Sequence, residues 1–329
     1  MIPMTQRSIN GFSLWRGSYP IILLGAVFVV LPFILPYTSL ATEIMLFALA
    51  AVAFDLCVGY TGVMMFCQAS FFGLGAYTTG LTLVHLTDNI FLAMLFGVAV
   101  SAALAALIGF MISIRSGSYS VLLSLAFNDL IYFIAYQWTS LTGGDDGLTG
   151  IRRPNIHLGG FTIDLQSSDS YYFFAFIFFI LSVWIIRRIS LSPLGKIFLC
   201  IRENNERAQA IGINIRLYKT LAVMLGGLFM GLAGSMYSMY IQFAHIHNVH
   251  FETSGNIVMM VLIGGIGTLF GPIVGAVMIV TASDLASSIW DRWMLLMGVL
   301  FIFFVLFARG GIWSLLEKGF RIFGRPKRE

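Results

Sequence analysis

Polar side chains inside the apolar runs of this sequence are the first candidates for chemistry. Asn128 and Asp129 lie in the middle of one such run, and Gln68 lies within another. Ionisable groups within a membrane are costly and commonly line solute or ion paths, where they meet polar partners. We therefore predict that Gln68, Asn128 and Asp129 face a polar path. For Asp55, near the end of its run, a structural and a functional role stay equally open.

A second cluster combines glycines with two carboxylates in the segment TGGDDGLTG, residues 142–150. Asp145 and Asp146 can pair with a basic patch on another protein. They can equally form a solvated turn, since Gly and Asp are typical turn residues. Calcium binding would need more oxygen ligands than this segment offers. These residues alone leave docking and turn formation open.

Three histidines, His245, His247 and His250, have a spacing that could hold a metal ion. Zinc sites commonly have four ligands, and the sequence offers no clear fourth ligand beside these histidines. The mouth of a path or a plain loop is therefore the preferred interpretation, and we predict no metal site here.

The other reactive residues predict neither catalysis nor a cofactor. Cys57, Cys67 and Cys200 are an odd, scattered set, which is typical of small buried hydrophobes and not of disulfides or zinc ligands. No set of Ser, His and Asp, or of Cys and His, has the context of a catalytic site. The phosphate-binding pattern G-x-x-x-x-G-K-[ST] does not occur, so we expect no ATP binding by that route and no enzyme.

The composition predicts which secondary structure carries these residues. Of 329 residues, 58% are hydrophobic and 10% are charged, whereas a soluble domain has ~25% charged residues. We therefore expect a chain surrounded by a lipid bilayer, with no nucleic acid as a partner. Runs long enough to cross ~30 Å of hydrocarbon lie at 19–37, 40–60, 61–84, 91–113, 118–138, 170–186, 219–242, 256–283 and 293–308.

Lysine and arginine residues predict the orientation, because cationic flanks stay on the cytoplasmic side. Counting the runs puts all of them inside except Arg152, Arg153 and Arg292. The expected organisation is a cytoplasmic segment 1–18, a transmembrane domain 19–308 with an external loop 139–169 and a cytoplasmic segment 189–218, and a basic cytoplasmic tail 309–329.

The run 256–283 must enter and leave the membrane as two short helices or a re-entrant pair, because one crossing would put the basic tail outside. Glycine permits unusual torsions and proline removes a backbone donor, so a helix breaks where they cluster. The predicted break comprises Gly264, Gly265, Gly267, Gly271 and Pro272. A weaker echo at 59–80 suggests a transporter repeat. The predicted fold class is an all-α, polytopic transmembrane helical bundle of about ten spans.

The cytoplasmic segment is predicted to form one amphipathic helix. Ser192 can cap its start, Pro193 is at the first helical position, and Gly212 ends it. Its charged face comprises Lys196, Arg202, Glu203, Glu206 and Arg207. Such a helix can lie at the headgroup boundary. The sharper hypothesis is a docking surface for a cytoplasmic subunit.

Four separated motifs follow one another along the chain. They read GYTGVMMFCQASFFGLGAY at 59–77, TGGDDGLTG at 142–150, SPLGKIFLCIRENNERAQAIGI at 192–213 and VLIGGIGTLFGPIVGA at 261–276. In this order they resemble the LivM-type permeases of branched-chain amino acid ABC importers. That family usually has a histidine where Gln68 stands and smaller residues at 63–66, so the departure concerns the solute and not the fold.

The resemblance implies a permease for amino acids, expected to be branched-chain, in the inner membrane of a bacterium. It implies three kinds of partner: a second, LivH-like permease, two cytoplasmic ATPase subunits and an external solute-binding protein. It also favours Asp145 and Asp146 as the docking site of that binding protein. The residues matched to ATPase coupling are Ser192, Pro193, Gly195, Arg202, Glu203, Glu206 and Gly212.

Two alternatives remain open. A urea or short-amide ABC permease is the close one, since related permeases share these motifs. An ion-coupled secondary transporter, with Asp129 or Asp55 at its ion site, is the alternative from another class.

Overall fold

The computed structural model describes residues 19–35, 37–114, 117–158, 161–289, 292–307 and 311–313. The expected N-terminal segment 1–18 and nearly all of the tail 309–329 lie outside these ranges. Helices make up most of the described chain.

The helices follow one another with short connections, except for the long loop between residues 137 and 168. They are α1 Tyr19–Ile34, α2 Thr38–Asp55, α3 Gln68–His85, α4 Ile90–Ser113, α5 Ser118–Gln137, α6 Ser168–Leu191, α7 Pro193–Glu203, α8 Asn205–Ala210, α9 Ile215–Ile241, α10 Phe251–Gly264, α11 Gly271–Ile289 and α12 Trp293–Phe307. Short turns lie at Leu56–Thr61, Thr139–Thr142, Gly144–Asp146 and Ile246–Val249. An antiparallel hairpin pairs β1 Ile156–Leu158 with β2 Phe161–Ile163.

Six described segments are long and apolar enough to cross a membrane, and two shorter apolar helices accompany them. The six are Thr38–Thr61, Ile90–Ser113, Ser118–Gln137, Ser168–Leu191, Ile215–Ile241 and Gly271–Ile289. The predicted polytopic helical bundle is confirmed, with the small hairpin as an addition. The number of about ten spans remains a prediction.

Two predicted boundaries need correction. The run 61–84 does not begin as a helix, because the chain is non-helical from Gly62 until α3 begins at Gln68. The expected single helix from Ser192 to Gly212 is two helices, since Asn204 is extended with φ −159°. The Asn204 Oδ1 accepts a hydrogen bond from the Arg207 backbone N–H at 3.0 Å, which caps α8.

The centre of the bundle is α2, whose residues from Leu40 onward are almost all buried. Small side chains let α4 and α9 approach each other closely beside it. A Cβ on Gly231 would lie 2.6 Å from the Ser101 Oγ, which is the close packing expected of small residues at four-residue spacing. The Ser101 hydroxyl donates to the Phe71 carbonyl at 3.0 Å, so these helices also fix the position of α3.

The loop between α5 and α6 is tied to the bundle by Arg153. Its Nε donates to the Met239 carbonyl at 2.8 Å and a second nitrogen donates to the Tyr240 carbonyl. Both carbonyls belong to the last turn of α9, where a cation is favoured by the helix dipole. Arg153 is one of the three basic residues that were expected on the external side. It is therefore buried and holds the loop in place.

Candidate functional site

Two helices of the bundle break, and both breaks occur where glycines allow the backbone to turn. After Asp55 the chain forms a wider turn, Leu56–Thr61, and Gly62 then adopts φ +71°. The second break separates α10 from α11 and contains Gly265 with φ +123° and Gly267 with φ +76°. These torsions favour glycine. The second break was predicted, and the first corresponds to the echo at 59–80.

The two breaks meet, and the cytoplasmic segment reaches the same point. The Asp55 Oδ1 accepts a hydrogen bond from the Gly267 backbone N–H at 2.7 Å. The Arg202 Nη1 donates to the Gly59 carbonyl. A Cβ on Gly59 would lie 2.7 Å from the Gly267 nitrogen, and one on Gly267 would lie 2.9 Å from the Arg202 Nη1. We call Asp55, Gly59, Arg202 and Gly267 the break junction.

Asp55 is fully buried in the break junction, being 1% exposed. Its Oδ2 has no hydrogen-bond partner among the described residues, and the positive charge of Arg202 attracts the carboxylate. An isolated buried carboxylate is strongly disfavoured, so this charge depends on its neighbours. Sequence reasoning placed Asp55 at the membrane boundary and missed this arrangement. The one signal of this arrangement in the sequence was the four-residue spacing of Asp55 and Gly59, which is about one helical turn.

The segment α7–α8 carries the residues predicted to couple to an ATPase. Pro193 opens α7 as expected, but the Ser192 hydroxyl donates to the Ile189 carbonyl at 2.6 Å and does not cap the helix. Gly195 lies against the last turn of α6, where a Cβ would be 2.6 Å from the Ser190 carbonyl carbon. Gly212 follows α8 with φ +88°. These residues set the path of the segment.

The two faces of α7–α8 differ in burial. Phe198 and Ile201 are buried against the bundle, whereas Glu203 and Glu206 are exposed. Arg202 follows Ile201 and extends its guanidinium into the break junction. The segment therefore combines an exposed face of mixed charge, in which Lys196 and Arg207 accompany the two glutamates, with an arginine that contacts the helix breaks.

Asn128 lies in a buried polar cluster that joins α5 to the first turn of α3 and to the start of α10. Its Oδ1 accepts from the Ser70 hydroxyl at 3.0 Å, and its Nδ2 donates to the Val249 carbonyl at 3.1 Å. The Ser254 Oγ accepts from the Ala69 backbone N–H at 2.9 Å. Ser70 and Ser254 were missed by the sequence analysis, because nothing local distinguishes them from packing serines.

Gln68 is also fully buried, at the first residue of α3. Its Nε2 donates to the Met65 carbonyl at 2.6 Å, while its Oε1 has no hydrogen-bond partner among the described residues. Gln68 and Asn128 are thus enclosed by protein in this conformation.

Asp129 lies on a different, exposed face of α5. Adjacent residues on a helix point about 100° apart, so Asn128 is directed into the bundle and Asp129 is exposed. Leu130 and Phe133 are exposed on the same side, at 51% and 59%. The structure therefore does not bring Asp129 together with Gln68 and Asn128.

The opposite end of the bundle brings Asp145 near the histidines. Both Asp145 and Asp146 are exposed, and a backbone bridge between Leu148 and Ala244 holds their turn beside His245. Partial burial and the charge of His247 lower the pKa of His245, and Asp145 acts in the opposite direction.

His247, His250 and Glu252 present possible ligand atoms within 4.8 Å of one another. Glu252 was not considered in the sequence analysis as a ligand. The His250 Nδ1 accepts from the Glu252 backbone N–H at 3.4 Å. A metal-ligating histidine typically donates its second N–H to an acceptor instead, so this hydrogen bond does not favour a metal through the other nitrogen.

Comparison with known proteins gives one family and two relatives. A family model described as branched-chain amino acid transport system / permease component matches residues 37–305. Relatives include the high-affinity branched-chain amino acid transport system permease protein LivM of Salmonella typhimurium and that of Escherichia coli. Each is 24% identical over 293 residues, covering 83% of this chain and 69% of the relative. No solved structure matches significantly.

Proposed function

This chain belongs to the family of permease components of branched-chain amino acid transport systems, and from that membership we propose that its solutes are branched-chain amino acids. It is a multi-pass inner-membrane permease subunit of an ABC transporter, and not an enzyme. The solute class rests on the names of the two relatives.

The proposed partners are a second, LivH-like permease, two cytoplasmic ATPase subunits and an external solute-binding protein. In this assembly both chain termini and α7–α8 are cytoplasmic, and the loop 139–169 is external. About ten spans result if α10 and α11 each cross or re-enter the bilayer. The domain limits are those expected from the sequence, with 19–308 as the transmembrane part.

The break junction is the observation that carries this proposal. Arg202 connects the exposed cytoplasmic segment to the Gly59 carbonyl of one helix break, and Asp55 connects that break to Gly267 of the other. A displacement of α7 by an ATPase would therefore act on both breaks together. Broken helices are the elements around which transporters rearrange.

The solute path is proposed to run along the exposed face of α5. Asp129 lies near the middle of this 20-residue helix, where a carboxylate facing lipid costs about 2.5–3.5 kcal/mol on insertion scales. A protein partner or a water-filled path would remove this cost. We place Asp129 on the path between the two permeases, and Gln68 and Asn128 behind it, where they become accessible when the broken helices move.

Uptake by reconstituted proteoliposomes tests the proposal. The complete complex, with ATP inside and the binding protein outside, should accumulate labelled leucine in competition with valine and isoleucine but not with urea. If urea competed and the branched-chain amino acids did not, urea would replace them as the proposed solute. Accumulation by this chain alone, driven by an ion gradient without ATP, would contradict the ABC assignment and favour the ion-coupled alternative.

A further inference from the structure

A cavity of about 120 Å³ lies between the ends of α4 and α5, the start of α9 and the segment α7–α8. This volume is several times the about 10–15 Å³ that one water molecule needs. Its polar lining consists of Thr61, Ser113, Ser120, Arg202, Asn205 and Lys219. The function proposed above does not use this cavity as a binding site.

The charged side chains that line the cavity are all positive. Arg202 and Lys219 contribute to its lining, and no Asp or Glu does. Lys219 is half-buried, and its side chain forms no hydrogen bond or ion pair with any residue in the described ranges. Arg202 uses one nitrogen on the Gly59 carbonyl, and a guanidinium carries five N–H donors, so donors remain for a ligand.

Neutral polar groups also line the cavity. Gly117 and Ser120 lie in the lining, at the start of α5. The N-terminus of a helix carries partial positive charge, and the Ser120 N–H itself donates to the Gly117 carbonyl at 3.2 Å. The Asn205 Oδ1 is buried and has no hydrogen-bond partner among the described residues. Its amide can present either the oxygen or the NH₂ group to a ligand.

We propose that this cavity binds the phosphate group of an anionic ligand, held between Lys219 and Arg202. The inference rests on the proposed function only for its cytoplasmic location, where basic pockets between helices take the headgroups of anionic lipids. Inorganic phosphate has the same recognition chemistry. Because Arg202 also belongs to the break junction, a bound phosphate would hold the guanidinium beside the Gly59 carbonyl.

Binding is tested on the complete permease complex by native mass spectrometry, after reconstitution in phosphatidylcholine with or without phosphatidylglycerol. Wild-type complex should retain phosphatidylglycerol, and Lys219→Gln should weaken retention by roughly tenfold. Lys219→Arg should preserve it. Arg216→Gln is the matched control, because Arg216 is exposed on the same helix and does not line the cavity.

A second set of binding measurements distinguishes inorganic phosphate from a lipid headgroup as the ligand. If inorganic phosphate at millimolar concentration binds the lipid-free complex, and Lys219→Gln weakens this binding, the ligand is the soluble ion. Binding of phosphatidylglycerol without competition by phosphate identifies the lipid. Equal retention by wild type, Lys219→Gln and Arg216→Gln, or retention of neither ligand by folded wild-type complex, would overturn the site. Because transport is not measured, these outcomes are independent of the solute proposed above.

Discussion

Single residues at the break junction combine a charge with backbone groups that have no helical partner. Asp55 satisfies the N–H of Gly267, and Arg202 satisfies the carbonyl of Gly59. Buried backbone groups left without partners cost free energy comparable to a lost hydrogen bond. The side chains of the break junction therefore stabilise both breaks in the conformation seen here.

Arg202→Ala should separate ATP hydrolysis from transport. Losing the guanidinium removes the direct contact between α7 and the first break, so uptake should fall by roughly tenfold or more, as for a lost charged hydrogen bond of about 1.5–3 kcal/mol. Hydrolysis by the assembled complex should fall less. Arg207→Ala, which removes an exposed arginine of α8, is the control. Equal losses of uptake and hydrolysis in Arg202→Ala would contradict a coupling role.

Asp55 substitutions should distinguish hydrogen bonding from charge. Asp55→Asn keeps an oxygen that can accept from the Gly267 N–H, whereas Asp55→Ala leaves this buried donor unpaired at a cost of about 1–3 kcal/mol. The melting temperature of the purified complex should therefore be lower for the alanine variant than for the asparagine variant. Asp88→Ala, at an exposed loop position, should match wild type. If both Asp55 variants melted together, the Gly267 contact would not be stabilising.

Among the elements, the broken helices and α7–α8 carry the functional arrangement. The first break lies between α2 and α3, and the second lies between α10 and α11. The bend at Asn204 separates α7, which packs on the bundle, from α8. The bend follows Glu203 and therefore changes only the direction of α8 and the position of Glu206. Arg202, Glu203 and Glu206 are all exposed, and the Arg202 Nη1 also donates to the Gly59 carbonyl.

Replacing Glu203 and Glu206 together with Ala should weaken docking of the ATPase. Charge pairs at protein interfaces contribute about 1.5 kcal/mol or more, so stimulated ATP hydrolysis and uptake should both fall by roughly tenfold. Membrane insertion should persist, because both side chains are exposed. The charge-matched control Asp88→Ala/Asp164→Ala lies in loops between helices. If stimulated ATP hydrolysis and uptake were unchanged in the Glu203/Glu206 variant, α7–α8 would not be the docking segment.

At the scale of the whole molecule, α5 is the membrane-length helix with the smallest buried share, 22%. It is attached to the bundle through hydrogen bonds of Ser124 and Asn128. Between Tyr119 and Tyr136, the exposed residues of α5 are apolar except for Asp129. A helix that presents a central carboxylate away from its own bundle requires polar surroundings supplied from outside the chain.

Asp129→Leu should therefore impair function without harming the isolated fold. The substitution removes a polar group from the proposed path, so uptake should fall by roughly tenfold or more, in line with the membrane cost of such a group. Asp129→Asn should lose less activity. Asp284→Leu, an exposed carboxylate nearer the end of α11, is the control. Wild-type uptake by Asp129→Leu would show that this face is not on the path.

Charge removal at the external end should affect docking of the binding protein. Asp145→Asn/Asp146→Asn should raise the concentration of binding protein needed for half-maximal uptake and reduce its salt dependence, because exposed charges mainly steer association. The maximal rate should remain similar. Asp164→Asn serves as the control, since Asp164 is exposed in the same loop. If the double variant needed the same concentration of binding protein for half-maximal uptake, residues 145–146 would be a solvated turn and not a docking site.

The membrane class, most helix positions and the break at Gly265 and Gly267 could be predicted from the sequence. These follow from local properties: apolar length, the distribution of cations, and the torsions that glycine permits. The four motifs also identified the family. None of these patterns specifies how a helix is rotated about its axis, so they could not separate the buried Asn128 from the exposed Asp129.

Which residues meet became clear from the packed fold and not from the sequence. Asp55 and Gly267 are 212 positions apart, and Arg202 reaches them from a helix whose bend at Asn204 was not predicted. Such contacts depend on the packing of several helices together, through small residues such as Gly231 against Ser101. A buried charge gains its role from neighbours that are distant in sequence, which is why Asp55 could be located from the sequence but not interpreted.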